Sequence, residues 1–148
     1  MENTPHSTVV VGIDGSPQSI SALRYAATLA GSLGHDLVAL SSWLPRIALE
    51  DYTPDWAPEQ DARDSLEKSI EQAFGQEVPA NLARKVVMGP AAPNLIEASK
   101  DAAMLVLGTR GRGGFKGLVL GSVSSSLAAH AKCPVLIHHG ETTPSDNH

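Results

Sequence analysis

The chain has 148 residues, 42% of them hydrophobic and 18% charged, with a formal net charge of −5. Such a length and composition suit one globular domain with a sizeable core. They exclude a membrane-spanning helix, because no apolar run approaches roughly 18 residues, and the acidic balance argues against a general nucleic-acid binder.

The opening MENTPHSTVVVGIDG has no basic region followed by a long apolar stretch, so no secretory signal is expected. STVVVGID (7–14) is a β-branched apolar run that predicts a buried strand. In GSPQS, Ser16 can cap a helix and Pro17 suits its first position. Ile20, Leu23, Ala27, Ala30 and Leu33 then recur at helical spacing, and Gly34 is a natural left-handed stop. DLVALSSW (36–43) predicts a second strand. Residues 44–60 are rich in proline and acids and have no clear period, which suggests a flap or a partner surface, bracketed by Trp43 and Trp56 as hydrophobic anchors.

Leu66, Ile70, Ala73 and Phe74 mark a helix over 62–75, LARKVVMG (82–89) a third strand, and PNLIEASKDA (93–102) a helix with Pro93 near its start. AMLVLG (103–108) is the fourth strand, SVSSSLAAHAK (122–132) a helix, and PVLIHH (134–139) the fifth strand. Cys133 cannot pair within the chain; it reads as a small hydrophobe at a strand start and fits a reducing, cytoplasmic setting. His138 and His139 alternate across that strand, so with His148 they make a poor metal set and read as structural or surface residues. Residues 1–6 and 141–148 are expected to fray from a single domain spanning 1–148.

Strands alternating with helices predict an α/β fold, a parallel sheet covered on both faces. Ligands of such sheets bind beyond the carboxyl ends of the strands, where the winding reverses. Two strand ends carry chemistry: Asp14 after the first, and GTRGRGGFKGLVLGS (108–122) after the fourth. The second stretch lies in a window, Ala102 to Gly140, with no Asp or Glu and with Arg110, Arg112, Lys116 and Lys132. Glycines let backbone N–H groups approach a phosphate, and a helix N-terminus adds free donors and a favourable dipole. The stretch is neither a Walker A loop nor a G-x-G-x-x-G turn after the first strand. One RGRGG copy in an acidic protein does not make an RNA-binding segment.

The spacing Gly108, Gly111, Gly121, Ser122 is Gly-x2-Gly-x9-Gly-Ser, and it resembles the ATP-binding signature of the universal stress protein family. VVVGIDGSPQS, LVLGTRGRGG and LGSVSSSLAAHAKCPVLI are similar to that family's first turn, fourth-strand loop, and closing helix and strand. The resemblance implies a Rossmann-like sheet of order 3-2-1-4-5, with strands one and four adjacent. It implies Asp14 near the ribose or adenine, the end of the second strand around Ser41 and Ser42 bordering the adenine, and Leu107, Gly108, Arg110 and Gly111 along the sugar and phosphate path. Gly121, Ser122 and Val123 would cradle the phosphates of ATP, with Mg2+ bridging them, and Ser124 lies in the same first turn. Asp14 could instead serve only the DGS turn, and Gly121–Ser122 only the helix cap. The resemblance also implies a regulator that dimerises through Pro134 to His139 and acts through a protein partner. The alternatives are a nucleotide-hydrolysing or adenylating enzyme, whose usual motifs are missing from GIDGSPQS, and a structural dimer with an empty pocket.

Overall fold

Val9, Val10 and Val11 set the pattern of the sheet: consecutive residues of a strand face opposite sides, and here both sides are core. The computed structural model describes residues 7–45, 57–109 and 121–140. They form β1 (Thr8–Gly12), α1 (Pro17–Leu33), β2 (Asp36–Trp43), α2 (Pro58–Phe74), β3 (Leu82–Met88), α3 (Ala91–Ser99), β4 (Met104–Gly108), α4 (Ser122–His130) and β5 (Val135–His138). The sheet is parallel throughout, in the order β3-β2-β1-β4-β5. Val10 lies opposite Val38 on one side and Leu105 on the other, and Leu105 opposite Val135.

Helices α1 and α2 cover one face, where Val9, Val11, Leu37, Ala39 and Val106 meet Leu23, Leu66 and Ile70. Helices α3 and α4 cover the other, where Val10, Leu40, Leu105 and Leu107 meet Leu95 and Leu127. Leu127 is the buried apolar anchor of α4, which it holds with Ser124.

The ends of α1 follow from local chemistry. Ser16 is the N-cap, its Oγ accepting from the Ser19 N–H at 3.1 Å, and Pro17 occupies the first helical position. Gly34 has φ of +71°, the left-handed region that lets the His35 N–H return to the Ala30 carbonyl at 2.9 Å. Elsewhere the boundaries differ from the sequence reading. Helix α2 starts at Pro58, not residue 62, because its first turn is held by Pro58 and by the acids Glu59 and Asp61 rather than by apolar residues. Helix α3 starts at Ala91, so Pro93 sits in the first turn, where a missing N–H costs nothing. It ends at Ser99, and residues 100–102 wind on with tighter bonds such as Lys100 N–H to Glu97 carbonyl. Helix α4 stops at His130 because Ala131 is extended. Residues 46–56, Trp56 among them, and the terminal segments 1–6 and 141–148 lie outside the described residues.

Gly108 ends β4 under the first turn of α1. A Cβ there would stand 2.9 Å from the Gln18 Cβ and 3.1 Å from the Gln18 backbone, so glycine is what lets the helix approach the sheet. Gly108→Ala is therefore expected to lower the unfolding free energy by about 1–3 kcal/mol, as overpacking does, in urea titration. Leu127→Ala should cost about 2–5 kcal/mol in the same measurement, because α4 has no second buried leucine to hold it.

Candidate functional site

Strands β1 and β4 pair directly, Val11 opposite Val106, yet their following helices lie on opposite faces. The chain leaves β1 toward β2 and leaves β4 toward β5, so the winding reverses between them and opens a crevice at their carboxyl ends.

On the β1 side the ladder runs one residue past the strand, Ile13 N–H donating to the Leu40 carbonyl at 2.9 Å. The Ser41 hydroxyl, buried on β2, donates to the Ile13 carbonyl at 2.8 Å and holds the exit of β1 against β2. Asp14 follows, exposed at the surface. Its carboxylate accepts from the Ser16 N–H at 2.9 Å, and its own N–H donates to the Ser19 Oγ at 3.3 Å. The turn-forming role of Asp14 is thus realised in the fold.

On the β4 side, Leu107 is buried, paired with Ile137 of β5, and fills the core between α3 and α4. Two bonds fasten the start of α4 to the end of β4. The Gly121 N–H donates to the Thr109 carbonyl at 2.9 Å, and the Ser124 hydroxyl donates to the Gly108 carbonyl at 3.0 Å. They close the base of the loop between Thr109 and Gly121. Arg110 and Gly111 belong to that loop and lie outside the described residues, as do Arg112 and Lys116.

Gly121 is the N-cap of α4, with no side-chain cap, and Ser122 is its exposed first residue. Ser122 therefore does not cap this helix as its sequence position allowed. Val123 is half-buried against the α3/α4 core. Ser125 N–H bonds to the Gly121 carbonyl at 2.9 Å, whereas the N–H groups of Ser122, Val123 and Ser124 find no acceptor among the described residues. Such a helix start suits an anion.

Ser42 lies past the crevice on β2, and its Oγ accepts from the Asn94 side-chain amide at 3.0 Å. Asn94 also reaches the carbonyls of Met88 and Gly89, each at 3.2 Å, so it knits the ends of β2 and β3 to α3. The sequence carries no sign of Asn94 beyond the Gly-Pro turn ahead of it, and the resemblance sets Ser41 beside the adenine with Ser42, whereas the Ser41 hydroxyl is spent on the Ile13 carbonyl.

Burial pushes the Cys133 thiol above its ordinary pKa, a hydrogen bond with the Leu105 backbone opposing it only in part. That is the behaviour of a structural cysteine. His138 stacks on Tyr25 of α1, ring centroids 4.9 Å apart, and His139 follows just beyond the end of β5. No helix among the described residues is long and apolar enough to cross a membrane.

Two universal stress proteins of Mycobacterium tuberculosis are 38% identical over 139 residues and 37% identical over 141. Each match covers 90% of this chain but 44% and 48% of the relative, so the chain spans less than half the length of either. A solved universal stress protein in complex with cAMP matches with a TM-score of 0.60 at 28% identity, covering 92% of this chain and 98% of that one. The universal stress protein UspA of Lactobacillus plantarum matches with a TM-score of 0.72 at 21% identity, covering 93% and 100%, a likeness of fold. The family model described as the universal stress protein family matches residues 6–139, and with these relatives it assigns the chain to the universal stress protein family.

Proposed function

We propose that the chain binds an adenine nucleotide, ATP with Mg2+, in the crevice between β1 and β4 and acts as a nucleotide-dependent regulator. The observation that carries this reading is the start of α4: three backbone N–H groups without acceptors among the described residues, pinned beside Gly108 at the point where the winding reverses. Free N–H donors and the positive end of the helix dipole are what a phosphate needs. The cAMP carried by a relative 28% identical to this chain supports an adenine ligand.

In this reading Ser122, Val123 and Ser124 bind phosphate through their N–H groups, while Gly121, whose own N–H is held by Thr109, lets the phosphate approach and the Ser124 hydroxyl stays on Gly108. The backbone of Leu107 and Gly108, with Arg110 and Gly111, follows the sugar and phosphates. Asp14 reaches the ribose and Ser42 borders the base. Mg2+ would be held chiefly by phosphate oxygens and water, as that cation prefers. The crevice offers Asp14 as its carboxylate among the described residues, and that side chain already serves a backbone N–H. This favours a binder over a catalyst. In the proposed reading the chain is a cytoplasmic regulator that works through a partner protein. The outer edge of β5, unpaired among the described residues, is the proposed seat of a homodimer through Pro134 to His139.

ATP–Mg at about 100 times its Kd should stabilise the fold by about 2.7 kcal/mol, read as a rise in melting temperature, with GTP doing less. No rise at millimolar ATP would sink the reading. Ser122→Asp places a carboxylate at the helix N-terminus, worth about 0.3–1 kcal/mol to the ligand-free fold, and occupies the phosphate position. It should raise the ligand-free melting temperature and abolish the ATP response; an undiminished response would move the phosphates elsewhere. Steady-state ATP turnover should stay below about one per second, and faster multiple turnover would favour the enzyme reading. Sedimentation at micromolar concentration should give twice the mass of the chain, and a single-chain mass would remove the dimer.

A further inference from the structure

A side-chain pair joins the end of β2 to the first turns of α3. The Asn94 Nδ2 donates to the Ser42 Oγ at 3.0 Å and to the carbonyls of Met88 and Gly89, each at 3.2 Å, with the Val87 carbonyl farther off at 3.5 Å. Carbonyls only accept, so these neighbours fix which end of the amide is which. The hydrogens of Nδ2 are engaged, and Oδ1 is left over. Asn94 has no hydrogen left to offer, so it can meet a donor and nothing else.

Each member of the pair keeps one unused group. No donor among the described residues reaches the Asn94 Oδ1. No acceptor among them takes the Ser42 hydroxyl hydrogen, whose oxygen already accepts from Asn94. Both residues are half-buried, and Oδ1 is open to solvent rather than sealed. An open acceptor and an open donor thus stand side by side. Tying β2 and β3 to α3 accounts for the amide hydrogens; it does not call for the acceptor and hydroxyl left beside them.

The pair stands on the crevice. Val38, Leu40 and Ser42 alternate onto the α3/α4 face of the sheet, the face on which α4 begins. Leu95, next to Asn94, lies over the last residue of β1: a Cβ on Gly12 would stand 3.1 Å from its side chain and 3.0 Å from that of Leu107. Leu95 and Leu107 therefore close the floor at the end of β1. Asn94 and Ser42 border that floor on the β2 side, and the N–H groups of α4 border it on the β4 side. Strands β2 and β4 flank β1, so the two borders are about 10 Å apart, two strand spacings. A phosphate can sit at one and a base at the other.

We infer that Asn94 selects the base, and that it selects a purine with an amino group at position 6. The inference rests on the nucleotide reading. On adenine a ring nitrogen accepts beside an amino group that donates; guanine puts a carbonyl oxygen in place of the amino group. The amino group meets the Asn94 Oδ1, and the ring nitrogen meets the Ser42 hydroxyl. With a 6-oxo purine, Oδ1 faces a second acceptor, and neither has a hydrogen to share.

The test is calorimetric titration of the full chain with Mg2+ and, in turn, ATP, inosine triphosphate and purine riboside triphosphate. These carry an amino group, a carbonyl oxygen and a hydrogen at position 6. ATP should bind about three- to tenfold tighter than the purine riboside, the worth of one hydrogen bond, and at least about tenfold tighter than the inosine nucleotide. Asn94→Ala should bring all three within about twofold of one another. Ser42→Ala leaves Asn94 on its carbonyls, so it serves if Asn94→Ala fails to fold. It should weaken ATP and the purine riboside alike by about threefold, and unchanged affinity there overturns the inference. Equal affinities in the unaltered chain, or an ATP preference that survives Asn94→Ala, overturn it and leave nucleotide binding standing. Binding of none of the three overturns the nucleotide reading and the inference with it.

Discussion

The crevice depends on how α4 is tied to β4. Two hydrogen bonds, Gly121 N–H to Thr109 and Ser124 Oγ to Gly108, set the first turn of the helix against the last residue of the strand. The helix has little else to hold it: Leu127 on its buried side and a short extended exit at Ala131. With those bonds in place, the helix leaves its first N–H groups at the end of the β1/β4 pair, where the winding reverses. Without them the loop between would have no fixed base, and backbone donors could not be presented in one geometry.

The glycine at the end of β4 serves two demands at once. Gly108 matches the first glycine of the phosphate-binding pattern, yet the contact that forbids a side chain there is with Gln18 on α1. A Cβ would meet helix backbone whether or not a nucleotide ever arrived. Asp14 carries a similar double load, since its carboxylate already holds the Ser16 N–H that starts α1. The same few residues therefore close the fold and border the crevice, and changes at them affect stability and binding together. Gln18 stands between the two, in the first turn of α1 and packed against Gly108.

What the sequence made legible was local. The strand–helix alternation, the Ser16 cap, Pro17 and the Gly34 stop each follow from the residue at the position, and the structure has them all. The order of the sheet came from family resemblance, because no short stretch encodes which strands become neighbours. Boundaries went astray where something other than apolar period sets them. The first turn of α2 rests on a proline and acids, and α3 accepts Pro93 inside its first turn. The start of α4 at Gly121 and Ser122 was legible, and of the two the cap falls on Gly121 because Ser122 has already entered the helix. The bond from Ser41 to Ile13 and the role of Asn94 were not legible, because they join residues of separate elements and single-sequence patterns carry no signal for that.

The two borders of the sheet are chemically unlike. Along β3, Ala83, Arg84 and Lys85 are exposed, Arg84 paired with Glu67, while β5 presents the half-buried Val-Leu-Ile run. Charge works against strand addition at the first border. In the proposed homodimer both partners would spend the second border, so the pairing would be self-limiting: it would end at two and not extend into a fibre.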